Sequence, residues 1–486
     1  MVLCTIDHPH KYELENICRL FFPFERVTVS EQACGTPSDG QMLAVTAAKR
    51  SGDCEQLYVR FVSGDFEREA IDTCAAGDSA ERERLLAVML FKILCEFTGM
   101  RPGWGILTGV RPGKLMRRMV DDMGETAARE YFAQKLLCLP EKIELCTEAA
   151  VNEQRIIASS KPRDFSLYFA IPFCPTRCSY CSFVSHSVER SMKLMDDYVR
   201  LLCDELARTG EIVRSLGLNL STVYVGGGTP TTLNAEQIKA VMSAVSDNFD
   251  MSRVTEYTVE AGRPDTVTAD KLDAILQGGA TRISINPQTL NDSVLNAIGR
   301  RHTTRQTLDA FSLAREHGFG NINMDLIAGL PTDTLSSFIN TVEGVLALDP
   351  ESVTVHTLSM KRSSRLSTGG ELPDAEQGIL AGQMLSEAAA RLKQNYIPYY
   401  LYRQSKTVGN HENTGYSKPG FECLYNIFMM DETHTVLACG ASGVTKLKRG
   451  ENTIERIFNY KYPYEYISHY DEIIKRKQGI IDFYGA

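Results

Sequence analysis

The sequence predicts an α/β chain built around an open or incomplete barrel of strand–helix units, with a small α+β domain before it and a short C-terminal extension after it. Three observations predict it. From Ser166 onward, apolar runs suited to buried strands alternate with amphipathic helical runs, the order expected of a parallel sheet. A thiol-rich loop leaves the first of those strands. Residues 1–160 follow another pattern, strand-like alternation with Gly/Asp/Ser turns and then a long helical stretch.

The strand candidates of the central part are 167–171, 222–225, 256–261, 282–286, 322–327 and 352–357. Helical runs at 195–216, 235–245, 269–276, 304–316 and 335–348 lie between them, so six units follow one another. Functional residues of a barrel belong at the C-terminal ends of its strands. A doubly wound open sheet shares the same alternation, and periodicity alone leaves it open.

In the N-terminal segment, 26–30, 42–48 and 56–62 alternate as strands, and a helix is expected over 82–97. The stretch from Arg101 to Lys114 repeats Arg-Pro-Gly and holds the single tryptophan, Trp104. Its glycines and prolines fix a defined loop whose arginines could hold an anion; a turn-rich linker with solvated charges is the other reading. Helices over 127–137 and 141–159 lead to the cysteine strand.

With 486 residues and 43% hydrophobic content the chain has ample material for packed cores in more than one domain. A net charge of −9 offers no global basic field for nucleic acid. The fourteen cysteines are mostly scattered singly and form no spaced disulfide framework. No apolar window reaches 18 residues, so no membrane span is expected. These features read together as a cytoplasmic protein in a reducing environment.

Cys174, Cys178 and Cys181 stand at C-x3-C-x2-C spacing directly after the strand at 167–171. Thiolates are soft ligands that select iron–sulfur clusters, zinc or Cu(I). A four-iron cluster ordinarily takes four cysteines, so three leave one iron open. Zinc would need a fourth ligand, and His186 is the local candidate.

Other strand ends carry further polar groups. Gly226-Gly227-Gly228-Thr229-Pro230-Thr231 follows the second strand, where backbone N–H groups can approach a ligand closely. Glu260 ends the third, Asn286-Pro287-Gln288 the fourth, and a helix after it closes on Gly299-Arg300-Arg301-His302. Asp325 lies inside the apolar fifth strand, where an unpaired carboxylate would cost on the order of several kcal/mol. It is expected to meet Arg300 or a ligand, an internal ion pair between strands being the alternative to ligand contact.

The cysteine loop, with an aromatic just before its third thiol, resembles the signature of the radical S-adenosylmethionine (SAM) superfamily. With the glycine run, Glu260, Gln288, Gly299-Arg300 and Asp-Leu-Ile-x-Gly-Leu-Pro in the same order, residues 165–445 resemble the oxygen-independent coproporphyrinogen III dehydrogenase family. The resemblance implies a radical SAM partial (β/α)6 barrel, a [4Fe-4S] cluster on Cys174, Cys178 and Cys181, and two SAM molecules. By residue-wise match Tyr168, Gly227, Glu260 and Val444 would contact the cluster-bound SAM. Tyr180, Gly228, Thr229, Gln288, Arg300, Asp325 and Ser359 would contact the second.

The family's reaction belongs to haem (porphyrin) biosynthesis. A deoxyadenosyl radical abstracts hydrogen from the β-carbon of a propionate, and loss of CO2 and an electron leaves a vinyl group, so coproporphyrinogen III becomes protoporphyrinogen IX. The implied partners are a tetrapyrrole substrate and a reductant such as a flavodoxin or ferredoxin, with no membrane and no nucleic acid. Lys361, Arg362, Arg365, Arg403 and Lys406 are the candidate cations for the propionates, and no catalytic residue is assigned. The expected domains are 1–160, of unassigned role, 161–395, the partial barrel, and 396–486, completing the substrate site.

The chain departs from the principal enzymes. Phe183 stands where they have a fourth cysteine, the N-terminal 160 residues do not match their short arm, and their larger C-terminal domain is missing. The arrangement is more similar to the family's divergent clostridial and bacillary branch. Radical SAM haem chaperones are the rival reading; they carry a His-Asn-x-x-Tyr-Trp motif after a cysteine, where this chain has Cys423-Leu424-Tyr425-Asn426-Ile427-Phe428-Met429-Met430, without the histidine and the Tyr-Trp pair. Cys423, His411 or a methionine remains as a possible haem ligand. Action on another tetrapyrrole or on RNA ranks last.

Overall fold

The computed structural model describes residues 1–32, 40–181, 186–360, 375–404, 406–450 and 453–485, and for 186–191 and 375 the backbone alone. The chain forms two compact units, Met1–Ala150 with Arg403–His411, and Val151–Tyr402 with Glu412–Ala486. No helix among the described residues is long and apolar enough to cross a membrane.

The first unit holds a five-stranded sheet of β1 (Val2–Ile6), β2 (Thr28–Ser30), β3 (Leu43–Ser51), β4 (Cys54–Ser63) and β5 (Phe66–Ala75), in the order β2-β1-β3-β4-β5. β1 runs parallel to β2 and β3, while β3, β4 and β5 form an antiparallel meander. Alternation along β4 buries Leu57, Val59 and Phe61, and Phe61 meets Phe97 of the Ser79–Thr98 helix at 5.0 Å between ring centroids. Asp78 starts that helix by accepting from the Glu81 N–H, and Gly99 ends it at a φ of 69°. The expected strands and helix appear here; β1 and β5 were not anticipated. β5 is a largely exposed edge strand whose Glu67, Arg68 and Glu69 hide the period-two signal.

The Arg-Pro-Gly stretch is an ordered loop around a buried Trp104. Arg403 lies over the Trp104 ring, 5.6 Å from its centroid, and donates to the carbonyl oxygens of Leu107 and, at 3.1 Å, Asn410.

The second unit carries β6 (Asp164–Ile171), β7 (Phe173–Cys174), β8 (His186–Ser187), β9 (Asn219–Gly227), β10 (Glu256–Glu260), β11 (Arg282–Ser284), β12 (Ile322–Ala328) and β13 (Ser352–Thr357). After them come β14 (Ile397–Arg403), β15 (Glu412–Ser417), β16 (Thr435–Cys439), β17 (Val444–Arg449) and β18 (Thr453–Phe458). All but β7 and β8 belong to one 11-stranded sheet, ordered β14-β15-β13-β12-β11-β10-β9-β6-β16-β17-β18.

The six strands read from the sequence are its parallel centre, β6 and β9 to β13. β16 adds a seventh parallel strand beside β6, and β17 and β18 continue antiparallel from it. The C-terminal extension therefore extends the same sheet on both edges.

One segment of that extension fills the concave face. The helix Leu424–Asp431 begins on Glu256 of β10, whose buried carboxylate accepts from the N–H groups of Leu424 (2.6 Å) and Tyr425 (3.2 Å). An anion at a helix N-terminus satisfies orphan donors and the helix dipole together. Tyr425 then stacks on Tyr224 at 4.5 Å and on Tyr168 at 6.3 Å between ring centroids.

Candidate active site at the strand ends of the barrel

β6 ends at Ile171 and hands the chain to β7, which opens the cysteine loop. The loop is pinned from outside. Ser179 N–H donates to Ile298 O at 2.9 Å, Thr176 Oγ1 to Gly299 O at 3.3 Å, and the Arg263 guanidinium, paired with Asp265, to Thr176 Oγ1 at 2.9 Å. Cys174, Cys178 and Cys181 are not disulfide-bonded, and the first and last are half-buried. Thr229 Oγ1 donates to Cys174 Sγ at 3.5 Å, while Arg300 and Tyr180 hydrogen-bond Cys178. Among the described residues no three His, Cys, Asp or Glu side chains converge on one point, so the ligand set rests on the donor chemistry and spacing of this loop. Phe183 and the His186 side chain lie outside the described residues.

The glycine run packs the end of β9 against the cysteine strand. Gly228 N–H donates to Ile171 O and Thr229 N–H to Phe173 O, both at 2.8 Å. A Cβ on Gly228 would stand 2.6 Å from Phe173 O, closer than any side chain can come, so only glycine permits this approach.

Glu260 ends β10 and accepts from the Tyr224 hydroxyl at 2.5 Å. Tyr224 is the register partner of Tyr168, so Tyr168, Tyr224 and Glu260 form one layer inside the barrel. Burial, then the neighbouring Asp325, pushes the Glu260 carboxyl up to about 7, against the Tyr224 hydrogen bond and the charges of Arg282 and His356. The folded state therefore holds a proton that the unfolded chain, with an ordinary value of 4.5, releases. This contribution to stability is complete below the unfolded value and is lost as pH rises through about 7. Wild type is expected to lose urea resistance over that window relative to Glu260→Gln, and parallel pH profiles for the two proteins would remove the assignment.

Asp325 points inward from β12. Asn323 Nδ2 donates to its Oδ1 at 2.7 Å, and His356 Nε2 of β13 lies 3.8 Å from Oδ2. Burial works against ionisation of Asp325, yet the hydrogen bonds and charge of His356, with Asn323 and Thr354, outweigh it and hold the carboxyl below its usual range. The protein partner is thus His356, not the expected Arg300. Arg300 is buried, donates to Asn286 O at 2.6 Å and faces Cys178 and Tyr180. The reason is topological: Asp325 and His356 sit on neighbouring strands, whereas Arg300 follows the helix that backs the cysteine loop.

Gln288 bridges to β12 through Gln288 N–H to Asp325 O (2.9 Å) and Ile327 N–H to Gln288 O (3.0 Å), with a left-handed φ of 68°. Such a backbone is uncommon for a residue other than glycine and is held here by those two bonds. Ser359 follows β13 with its Oγ buried and lacking a partner. Val444 begins β17 after the turn at Gly440–Gly443, and Gly440 packs on Ala170 of β6.

Lys361, Arg362 and Arg365 lie outside the described residues. Arg403 and Lys406 belong to the first unit, where Arg403 gives its guanidinium to backbone carbonyls and Trp104. Sequence reasoning missed Tyr224, Asn323, His356 and Tyr402. A signal existed for one of them: His356 is the polar break in an otherwise apolar and hydroxylic strand.

The groups implied for this site can be tested against these atoms. A cluster needs closely spaced thiols on a constrained loop, and the cysteine loop supplies them, with Cys174 and Cys181 half-buried and Cys178 buried. A cationic nucleoside such as SAM needs carboxylates, aromatic faces and spare polar atoms. Glu260 and Asp325 are the carboxylates, Tyr168 offers a face, and Ser359 Oγ, Ser179 Oγ and Arg300 Nε are buried without partners. The residues fit.

Comparison with known proteins agrees. The Radical SAM superfamily profile matches residues 168–345. The oxygen-independent coproporphyrinogen-III oxidase-like protein HemZ of Bacillus subtilis is 36% identical over 470 residues, 94% of this chain and 89% of that protein. The heme chaperone HemW of the same organism is 31% identical, over 57% of this chain and 70% of its own length. Among solved structures, coproporphyrinogen III oxidase HemN from Escherichia coli, a radical SAM enzyme, aligns over 66% of this chain and 72% of its own with 25% identity and a TM-score of 0.51. The fold class, the [4Fe-4S] cluster and SAM all follow from these matches. With a relative this similar along nearly its whole length, the chain belongs to the oxygen-independent coproporphyrinogen III oxidase-like family of radical SAM proteins.

Proposed function

We propose that the chain is an oxygen-independent coproporphyrinogen III dehydrogenase, converting two propionates of coproporphyrinogen III to vinyls and giving protoporphyrinogen IX. The observation that carries this reading over a haem chaperone is the state of Cys423. Its thiol is fully buried, donates to Glu256 Oε1 at 3.4 Å and is pushed up by burial and by that carboxylate. A thiol so held is a poor ligand for an incoming haem iron. Tyr425, on the segment where haem chaperones carry their motif, is committed to the stack with Tyr224 and Tyr168.

In this reading the chain's own residues bind and orient. Cys174, Cys178 and Cys181 hold the cluster, which with its bound SAM supplies the hydrogen-abstracting radical. Tyr168, Gly227, Glu260 and Val444 seat that SAM, and Tyr180, Gly228, Thr229, Gln288, Arg300, Asp325 and Ser359 seat a second molecule. Lys361, Arg362, Arg365 and Lys406 remain the candidate cations for the propionates, Arg403 being held by backbone carbonyls. A reductant such as a flavodoxin or ferredoxin supplies the electron.

The test is anaerobic reconstitution followed by incubation with SAM, a reductant and coproporphyrinogen III. Formation of both 5′-deoxyadenosine and protoporphyrin, read after oxidation, is the expected result. Deoxyadenosine without a vinyl product would reassign the substrate, and stoichiometric haem binding in place of turnover would favour the chaperone.

A further inference from the structure

His356 has no part in the reading above, yet it stands at the centre of the barrel's polar layer. It lies on β13, beside β12 with Asp325 and one strand removed from β14 with Tyr402. Tyr402 Oη approaches its Nδ1 at 3.4 Å, and its Nε2 faces Asp325 Oδ2 at 3.8 Å. Tyr402 can donate to Nδ1 while Nε2 turns toward Asp325, a polar row from β14 to β12 whose second gap is an ion-pair distance. Asn323 fixes the other carboxylate oxygen at 2.7 Å.

The surroundings leave this imidazole as the group that decides Asp325. Glu260 faces the layer from β10, Arg282 and His356 act on it with opposite sign to Asp325, and Tyr400 of β14 feels the Asp325 charge. Arg282, the other cation, is spent on Ser352 Oγ at 2.9 Å, one layer deeper. Two carboxylates so close resist joint ionisation unless a cation or donor serves one of them.

We propose that His356 is a positioning residue that holds Asp325 as an oriented anion, ready for the positive end of a bound SAM. This rests on the reading that Asp325 contacts SAM. Without the imidazole, burial would dominate at Asp325, and the carboxyl would take up a proton as pH falls. The carboxylate would also lose the imidazole that faces its Oδ2 at 3.8 Å.

The test is SAM binding by equilibrium dialysis to the cluster-loaded protein, across about pH 6 to 8, for wild type, His356→Phe, His356→Gln, Asp325→Asn and the Asp325→Asn/His356→Phe double variant. His356→Phe is expected to bind at least about tenfold more weakly at the acid end, with the gap narrowing as pH rises. His356→Gln, which keeps a side-chain N–H, should recover part of the affinity. In the double variant the His356 change should add nothing to Asp325→Asn. Unchanged binding by His356→Phe, or a pH-independent loss additive with Asp325→Asn, overturns the inference. Should His356→Phe fail to fold, the pH profile of His356→Gln decides by the same criterion. If Asp325→Asn itself binds SAM like wild type, the failure lies in the contact assigned to Asp325, a distinguishable outcome.

Discussion

Cys178→Ala is expected to abolish the brown absorbance of the reconstituted protein and its radical chemistry while leaving a folded apo-protein. Removing one of three thiols leaves two ligands where a site-differentiated cluster needs three. The fold should survive because the loop is held by other atoms: Ser179 N–H on Ile298 O, Thr176 on Gly299 O, and Arg263 on Thr176. Iron content, visible absorbance and circular dichroism measured together check the claim. Iron retained at wild-type stoichiometry would sink the ligand assignment.

Lys477→Met is expected to cause the largest loss of stability. Glu205 and Lys477 are both almost fully buried, and their charged atoms lie 3.0 Å apart. Glu205 also accepts from Gly440 N–H (2.7 Å), Tyr466 Oη (2.7 Å) and Asn459 Nδ2 (2.8 Å). Removing the ammonium leaves a buried carboxylate without its counter-charge, which costs roughly 3–5 kcal/mol. Glu205→Gln on top of Lys477→Met should return much of that loss, because the charge disappears with its partner. Urea midpoints read the difference, and a change under about 1 kcal/mol would show that the pair is effectively solvated.

The same pair bears on the site. Gly440, with a φ of 85°, leaves no room for a Cβ between Tyr198 Oη and Ala170 O, so the turn before Val444 is clamped between β6 and the Glu205 network. The C-terminal helices, distant in sequence, thereby fix a loop beside the strand that leads to the cysteines. Loosening it should lower SAM affinity in Lys477→Met at temperatures where the protein is still folded.

Much of the fold was legible because its signals are local. The six central strands are apolar runs bounded by turns, and each was placed within a few residues of its observed bounds. Cys174, Cys178 and Cys181 declare themselves by spacing, Gly226 to Gly228 by composition, and Asp325 by being a charge inside an apolar run. β5 escaped because an exposed edge carries no amphipathic pattern. β16 is buried throughout, but nothing in its sequence states which strand it will join.

What the residues determined alone was therefore the alternation of strand and helix, the thiol donor set and the positions of Glu260 and Asp325. What the tertiary structure decided was partnership. Asp325 pairs with His356 and not Arg300, Glu260 is gripped by Tyr224, Tyr425 enters the barrel because Glu256 caps its helix, and Glu205 meets Lys477. Periodicity reports which face of an element is buried, a property of a short window of sequence. Which groups meet across that face depends on strand order and register, and these are set by packing over the whole chain.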